Sequence, residues 1–251
     1  AMDAAIAACA VQCVVDPMQT GIGGDCFALV APKGSAAIEG LNGSGRAPAA
    51  LTADYLLGQD ISEIELTSPH AVTVPGAIDA WVSLHAQYGS MEFADILAPA
   101  IDAAENGFVV TQRTSVDWKM ATEKISANEA ASSLFLKHGQ SPKAGTKWHL
   151  PKLAKTLKAI AKDGRDAFYK GELAEKMVAA LNAAGAVHTA DDFAATGCDY
   201  VDLIKTDFQG HDVHQIPPNG QGITALICPA VFARSQSGRI SNTTASGIWR
   251  M

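Results

Sequence analysis

The chain has 251 residues, of which 48% are hydrophobic and 18% charged. That is the make-up of ordinary globular protein, long enough to bury a sizeable core and unlike a disordered segment. No apolar run approaches the roughly 20 residues of a membrane-spanning helix. A net charge of −7 and a pI near 5.4 argue against nucleic acid and anionic membrane surfaces, which select clustered Lys and Arg. A small molecule or a peptide is the better-matched ligand.

The opening segment is rich in Ala and carries Ile6, Ala10 and Val14 at helical spacing, up to Asp16-Pro17. Thr20-Gly-Ile-Gly-Gly24 follows as a loop in which backbone can approach backbone. It precedes a strand and no Lys-Ser/Thr pair comes after it, so neither nucleotide-binding fingerprint fits and tight packing is its expected role. The stretches 26–31 and 36–41 read as two strands of a hairpin about the turn Pro32-Lys-Gly34. A helix is expected from Val74-Pro-Gly-Ala77, with Ile78, Trp81, Val82 and His85 on one side. Another covers 93–105 and stops at Asn106-Gly107.

The more polar stretch 111–146 reads as one or two helices and a surface excursion. Further helices open at Pro151 and cover 171–184. At Thr189-Ala-Asp-Asp192 a helix start is expected, with Thr189 capping free N–H groups and the two carboxylates favouring the dipole. The chain then turns β-rich over 200–204 and 211–216, before Pro217-Pro-Asn-Gly-Gln-Gly222 breaks the strand and a helix begins near Ile223. Hairpin, helices and then strands predict an α+β layered architecture rather than a Rossmann alternation. Beyond Cys228 the apolar period dissolves into Ser, Thr, Gly and Arg. Residues 1–227 are therefore expected to form the domain, and 228–251 a divergent tail that is frameshifted, truncated or disordered.

Five cysteines, at 9, 13, 26, 198 and 228, form no CxxC pair and no zinc spacing with His. Cys9 and Cys13 lie four apart on an apolar helix face and are read as small core residues. His211 and His214 are three apart near a strand and so face opposite sides, which argues against a shared metal. Lys152, Lys155, Lys158 and Lys162 read as a solvated helix face, and Trp81 with His85 as an i,i+4 core pair.

Four local patterns, in order along 1–227, together resemble the γ-glutamyltransferase family. The first runs from Met2-Asp-Ala-Ala5 through Val15-Asp-Pro17 to Gly21-Ile-Gly-Gly24-Asp-Cys-Phe27, and the second is Arg46-Ala-Pro-Ala49. The third is Val74-Pro-Gly-Ala77 with Trp81, Leu84, His85, Tyr88 and Gly89, then Leu97-Ala-Pro-Ala-Ile101 and Glu105-Asn-Gly-Phe108. The fourth is Asp166-Ala-Phe-Tyr-Lys-Gly171 with Pro217-Pro-Asn-Gly-Gln-Gly222. The resemblance implies an Ntn-hydrolase-like αββα sandwich, incomplete here because only the larger-subunit portion is matched.

It also implies a precursor that cuts itself, exposing an N-terminal Thr on a smaller subunit. That Thr is the nucleophile and its own α-amino group the base, an arrangement suited to a group titrating near pH 7.7–8.0. Such a mechanism passes a γ-glutamyl group from a glutathione-like amide to water or an amino acid and needs no metal or organic cofactor. The implied partner is the small subunit, and the implied setting is periplasmic or extracellular, although no signal peptide is visible. In the family the nucleophile heads a Thr-Thr-His type strand well beyond the Pro-Pro turn. Thr243-Thr244 is the local candidate, but too few residues follow it to build a strand and an oxyanion hole. No catalytic residue is therefore assigned, and the chain alone is expected to be inactive.

The candidate substrate-binding residues are Arg46 and Ser44. The family pattern is Arg-Glu-x-Ala-Pro, whose arginine grips the α-carboxylate of the donor with its planar fork. Anchoring on Ala47-Pro48 puts Ser44 at that arginine's place and Arg46 two residues on. Two residues along an extended chain return to the same face about 6.6 Å away. The shift keeps open a side-chain amide acylase of the same superfamily. The absent nucleophile keeps open a non-catalytic remnant or interaction module.

Overall fold

The computed structural model describes residues 1–228. The expectations for most of the tail and for Thr243-Thr244 lie outside the described residues. Two compact units emerge, one built from Ala1–Cys26 and Gly43–Cys198, the other from Phe27–Asn42 and the chain from Asp199 onward.

The first unit is mostly helical, and its centre is a stack of three helices: α1 (Met2–Val15), α4 (Phe93–Asn106) and α8 (Pro151–Asp163). Ile6, Ala10 and Val14 of α1 meet the face of α4 made by Ile96, Leu97, Ala100 and Ala104. On α8, Ala154, Leu157 and Ile160 are buried. Alanines at the contact positions let the helix axes approach, and the 3.6-residue period puts every one of these side chains inside. Asp3 near the start of α1 is buried, and its carboxylate accepts from the Ser90 amide and hydroxyl in the turn before α4.

Between β1 (Cys26–Val30), β2 (Glu39–Gly43) and α3 (Ala77–Tyr88) lie a short α2 (Ala53–Gly58) and a 3-10 turn at Pro69–Ala71, neither of which the periodicity signalled. Trp81 is core, as read from the sequence; His85 is half-buried instead, with its ring against Phe93 and its Nε2 at 2.8 Å from the Met91 carbonyl. The stretch 111–146 holds three short helices, α5 (Gln112–Met120), α6 (Thr122–Ser126) and α7 (Glu129–Phe135), flanked by the paired β3 (Phe108–Val109) and β4 (Lys147–Trp148). One residue organises it: Trp118 is wholly buried, stands edge-on to Phe135 and Trp148, and donates from Nε1 to the Phe135 carbonyl at 2.8 Å. Helices α9 (Asp166–Tyr169), α10 (Gly171–Ala183) and α11 (Ala190–Ala195) complete the unit.

The second unit carries the other two small sheets. β2 lies between β1 and β5 (Asp199–Val201), with Leu41 opposite Tyr200 in an antiparallel register. The single strand expected over 200–204 is two: β5 ends at Val201, and β6 (Ile204–Phe208) pairs instead with β7 (His211–Gln215) about the turn Gln209-Gly210. Residues 222–228 are helical. The whole is α+β.

Two features of the first unit fix the loops that carry Ser44 and Arg46. One is a junction of three backbone segments. The Gly76 and Ala77 amides both donate to the Gly24 carbonyl at 3.0 Å, and the Val74 amide donates to the Arg46 carbonyl at 2.9 Å. A Cβ on Gly45 would stand 1.9 Å from the Val74 carbonyl oxygen, and one on Gly76 would stand 2.2 Å from that of Gly43. Only glycine permits this approach. By contrast, a Cβ on Gly21 or Gly23 meets nothing within 4 Å, and one on Gly24 meets only the Gly21 carbonyl oxygen at 3.5 Å, an ordinary contact. The tight packing expected of this loop is therefore not found, and its tie to the junction is the Gly24 carbonyl.

The other feature is a buried polar knot. Tyr169, fully buried, donates to the Pro75 carbonyl at 2.7 Å and accepts from the Asp79 amide at 3.1 Å. Burial holds its phenol far above the usual range, so it stays a donor. Asp79 is ion-paired to Arg165 and accepts from the Cys198 amide at 2.7 Å, while Arg165 lies over the Tyr169 ring and donates to the Thr196 carbonyl. The residues before α3 are thereby tied to α9 and to the chain leaving α11.

Next to α11, His188 is 2% exposed and neither ring nitrogen has a hydrogen-bond partner among the described residues. Burial pushes its pKa below the ordinary 6.5, with the Asp192 charge and the Val72 backbone pulling the other way. A neutral buried histidine must be charged at a cost in acid.

Two outcomes follow for stability in urea. Gly45→Ala destabilises the chain by about 2 kcal/mol or more through overpacking, whereas Gly21→Ala stays within about 0.5 kcal/mol; equal costs would contradict the junction. The unfolded chain binds the proton of His188 first, so the contribution of that residue is fully present above pH 6.5 and is lost as pH falls below it. His188→Leu therefore shows a flatter stability profile between about pH 7.5 and pH 5 than the parent chain, and parallel profiles would overturn the assignment.

Candidate functional site

Asp25, Ser44 and Arg46 stand on neighbouring loops at the mouth of the glycine junction. Asp25 ends the glycine-rich loop and is exposed. One of its carboxylate oxygens accepts from the Gly45 amide at 2.8 Å and the other from the Ser44 hydroxyl at 3.3 Å. Arg46 has its carbonyl held by the Val74 amide and is exposed. Three residues on, the Ala49 amide donates to Asp192 Oδ1 at 2.9 Å. Between Ser44 and Ala49 the backbone is thus anchored on both sides of the guanidinium. A fixed backbone lowers the entropy lost when that side chain grips an anion.

Asp192 has a double part. Its Oδ2 closes a capping box with Thr189, accepting from the Thr189 amide at 2.8 Å and hydroxyl at 2.7 Å, and its Oδ1 holds the Arg46 loop. Burial pushes the Asp192 carboxyl up, but the Ala49 amide and the Thr189 groups outweigh it and hold the pKa below the usual value. The anion therefore persists well into acid, and with it both the helix start and the loop anchor.

The structure brings Ser44 and Arg46 onto one loop and adds Asp25, whose place in the glycine-rich motif gave no sign of its bonds. The Thr-x-x-Asp pattern did signal the cap at Thr189, but nothing in it signalled the reach of Asp192 to Ala49, 143 residues away. In the second unit Asn42 donates to Asn219 at 3.1 Å, joining β2 to the Pro217-Pro-Asn-Gly-Gln-Gly222 turn.

Two of the thiols, Cys26 and Cys198, are poor nucleophiles. Burial pushes Cys26 up to about 11, with Cys9, Cys198 and Cys13 adding to it; burial and the Asp79 carboxylate push Cys198 up to about 11. Both are protonated at neutral pH. Cys13 is buried as read from the sequence, but Cys9 faces solvent, one helical step off the buried stripe. His211 and His214 lie on β7 opposite Phe208 and Lys205. Among the described residues no three His, Cys, Asp or Glu side chains are grouped to hold a metal ion, and no helix is long and apolar enough to cross a membrane.

Comparison with known proteins gives this geometry a context. The chain is 37% identical over 228 residues to the glutathione hydrolase-like YwrD proenzyme of Bacillus subtilis, covering 90% of this chain and 43% of that protein. Among solved structures, the cephalosporin acylase of Bacillus halodurans superposes with a TM-score of 0.84 at 38% identity, over 90% of this chain and 43% of that one. Helicobacter pylori γ-glutamyltranspeptidase superposes with a TM-score of 0.83 at 26% identity, over 90% of this chain and 66% of that one. The chain thus spans about two fifths of the length of the curated relatives it matches. The family described as Gamma-glutamyltranspeptidase matches over residues 1–248, and the chain belongs to it.

Proposed function

We propose that this chain is the larger-subunit part of a self-processing amidohydrolase or transferase whose N-terminal threonine lies outside the described residues. In this reading residues 1–227 form one half of an αββα sandwich and the partner is the small subunit. The substrate is a small-molecule γ-glutamyl or acyl amide, and no metal or organic cofactor takes part. The observation that carries the proposal is the anchored loop: Arg46 is exposed while Asp25, Val74 and Asp192 hold the backbone around it. A guanidinium so placed suits a donor carboxylate. The second unit supports the partner, since Phe27 and Leu29 of the edge strand β1 and Tyr200 of β5 are large apolar side chains left exposed. Such a surface favours association.

A second reading, a side-chain amide acylase, is favoured by a separate observation. At the place where the family pattern has its arginine stands Ser44, whose hydroxyl is engaged by the Asp25 carboxylate. A negative charge there disfavours a donor α-carboxylate, and the similarity to a cephalosporin acylase agrees with it.

The two readings part on donor choice in the complete, matured protein. Arg46→Ala is expected to lower kcat/KM for a γ-glutamyl anilide roughly 10- to 100-fold, while an anilide whose acyl group lacks an α-carboxylate is little affected. Equal parent rates on both donors would sink the glutamyl reading. The 251-residue chain by itself is expected to turn over neither donor. Turnover lost on Thr243→Ala or Thr244→Ala would overturn the placement of the nucleophile elsewhere.

A further inference from the structure

A second cleft lies on helices that supply none of the Asp25, Ser44 and Arg46 loops. The one-turn helix α9 packs against both α8 and α10 and keeps them apart, its Phe168 and Tyr169 buried beneath. Between the two helices a cavity of about 510 Å³ opens to solvent. Lys152 and Lys155 stand on the α8 side and Lys170 and Lys176 on the α10 side, and Ala159, Ala167 and Leu173 supply apolar surface between them.

The charges in this cleft are unequally matched. Lys170 is paired with Asp166 at 2.9 Å and Lys176 with Glu172. Lys152 and Lys155, one turn apart on α8, form no close ion pair among the described residues, although the Lys155 charge helps hold the Glu172 carboxyl below its usual value. With Asp163 and Glu172 lining the cleft and Asp166 holding Lys170, four lysines meet three carboxylates on a chain whose net charge is −7. Positive charge concentrated against the sign of the whole molecule, beside apolar walls that lower the local dielectric, focuses on an anion. Sites for small ligands combine such walls with a few convergent polar groups. A flat solvated lysine face, which the helical spacing alone predicts, would have no cavity beside it.

We infer that the cleft between α8 and α10 binds a small amphipathic organic anion, its carboxylate or phosphate held by Lys152 and Lys155 and its apolar body resting on Ala159, Ala167 and Leu173. The cavity is large enough for a monocyclic or short-chain ligand, since small-molecule sites run from about 300 to 1,000 Å³. A simple inorganic anion would leave the apolar surface wet, and a neutral ligand would leave the lysines unanswered.

The test is a titration of the chain, at low salt, with 4-phenylbutyrate and with 4-phenylbutanol, which has the same body without the charge. Heat and amide chemical shifts are the readouts. Saturable binding of the acid is expected, with shifts centred on residues 152–176 and at least about tenfold weaker binding of the alcohol. Lys152→Gln with Lys155→Gln should weaken the acid about tenfold or more. Ala159→Phe, which fills the cleft without touching a charge, should abolish the shifts; both variants are checked for native circular dichroism. Three results would overturn the inference: no saturable shifts up to ~10 mM acid, equal affinity for the alcohol, or undiminished binding by the Gln variant.

Discussion

Two amides, those of Gly76 and Ala77, converge on the carbonyl of Gly24, and the rest of the first unit is arranged so that they can. The three segments meet closer than any side chain allows, because Gly43, Gly45 and Gly76 each put backbone against backbone or against Ala80. From that contact outwards, Pro75 is held by Tyr169, Tyr169 shares Asp79 with Arg165, and Arg165 reaches the end of α11. Asp192 at the start of α11 then returns to Ala49. The loop bearing Arg46 is therefore fixed by elements spread over most of the unit.

Much of this was legible in the residues, and the physical reasons are specific. Helices α1, α4 and α8 declared themselves because their apolar faces repeat at 3.6 residues over three or more turns. Asn106-Gly107 marked the end of α4 to within one residue. The short elements escaped. α2 and α9 have six and four residues, too few for a period to show. The break between β5 and β6 at Asp202-Leu203 is not marked by Gly or Pro, so one strand was expected where two exist. Trp118 turned a polar stretch into three helices through a single buried ring that no periodicity advertises.

The candidate site was legible in part. Ser44 and Arg46 came from their offset against a family pattern, and the structure places both on an anchored loop. Asp25 and Asp192 act through bonds to residues 20 and 143 positions away, and the Asp79–Arg165 pair spans 86. Contacts of that range leave no local mark in a sequence. Family membership followed from the ordered motifs, and comparison over residues 1–248 carries it. The half-buried thiols of Cys26 and Cys198, each pushed up to about 11, are protonated at neutral pH.

Hydrogen exchange tests most directly whether the Arg46 loop is rigid before any ligand or partner arrives. The amides of Gly45, Ala49, Val74, Gly76 and Ala77 are all donors in the junction and its anchors. In the isolated chain they are predicted to exchange as slowly as the amides inside α3, which grows out of the same contact. Exchange at the rate of an unstructured loop would contradict a preformed site and leave the loop to be ordered only on assembly.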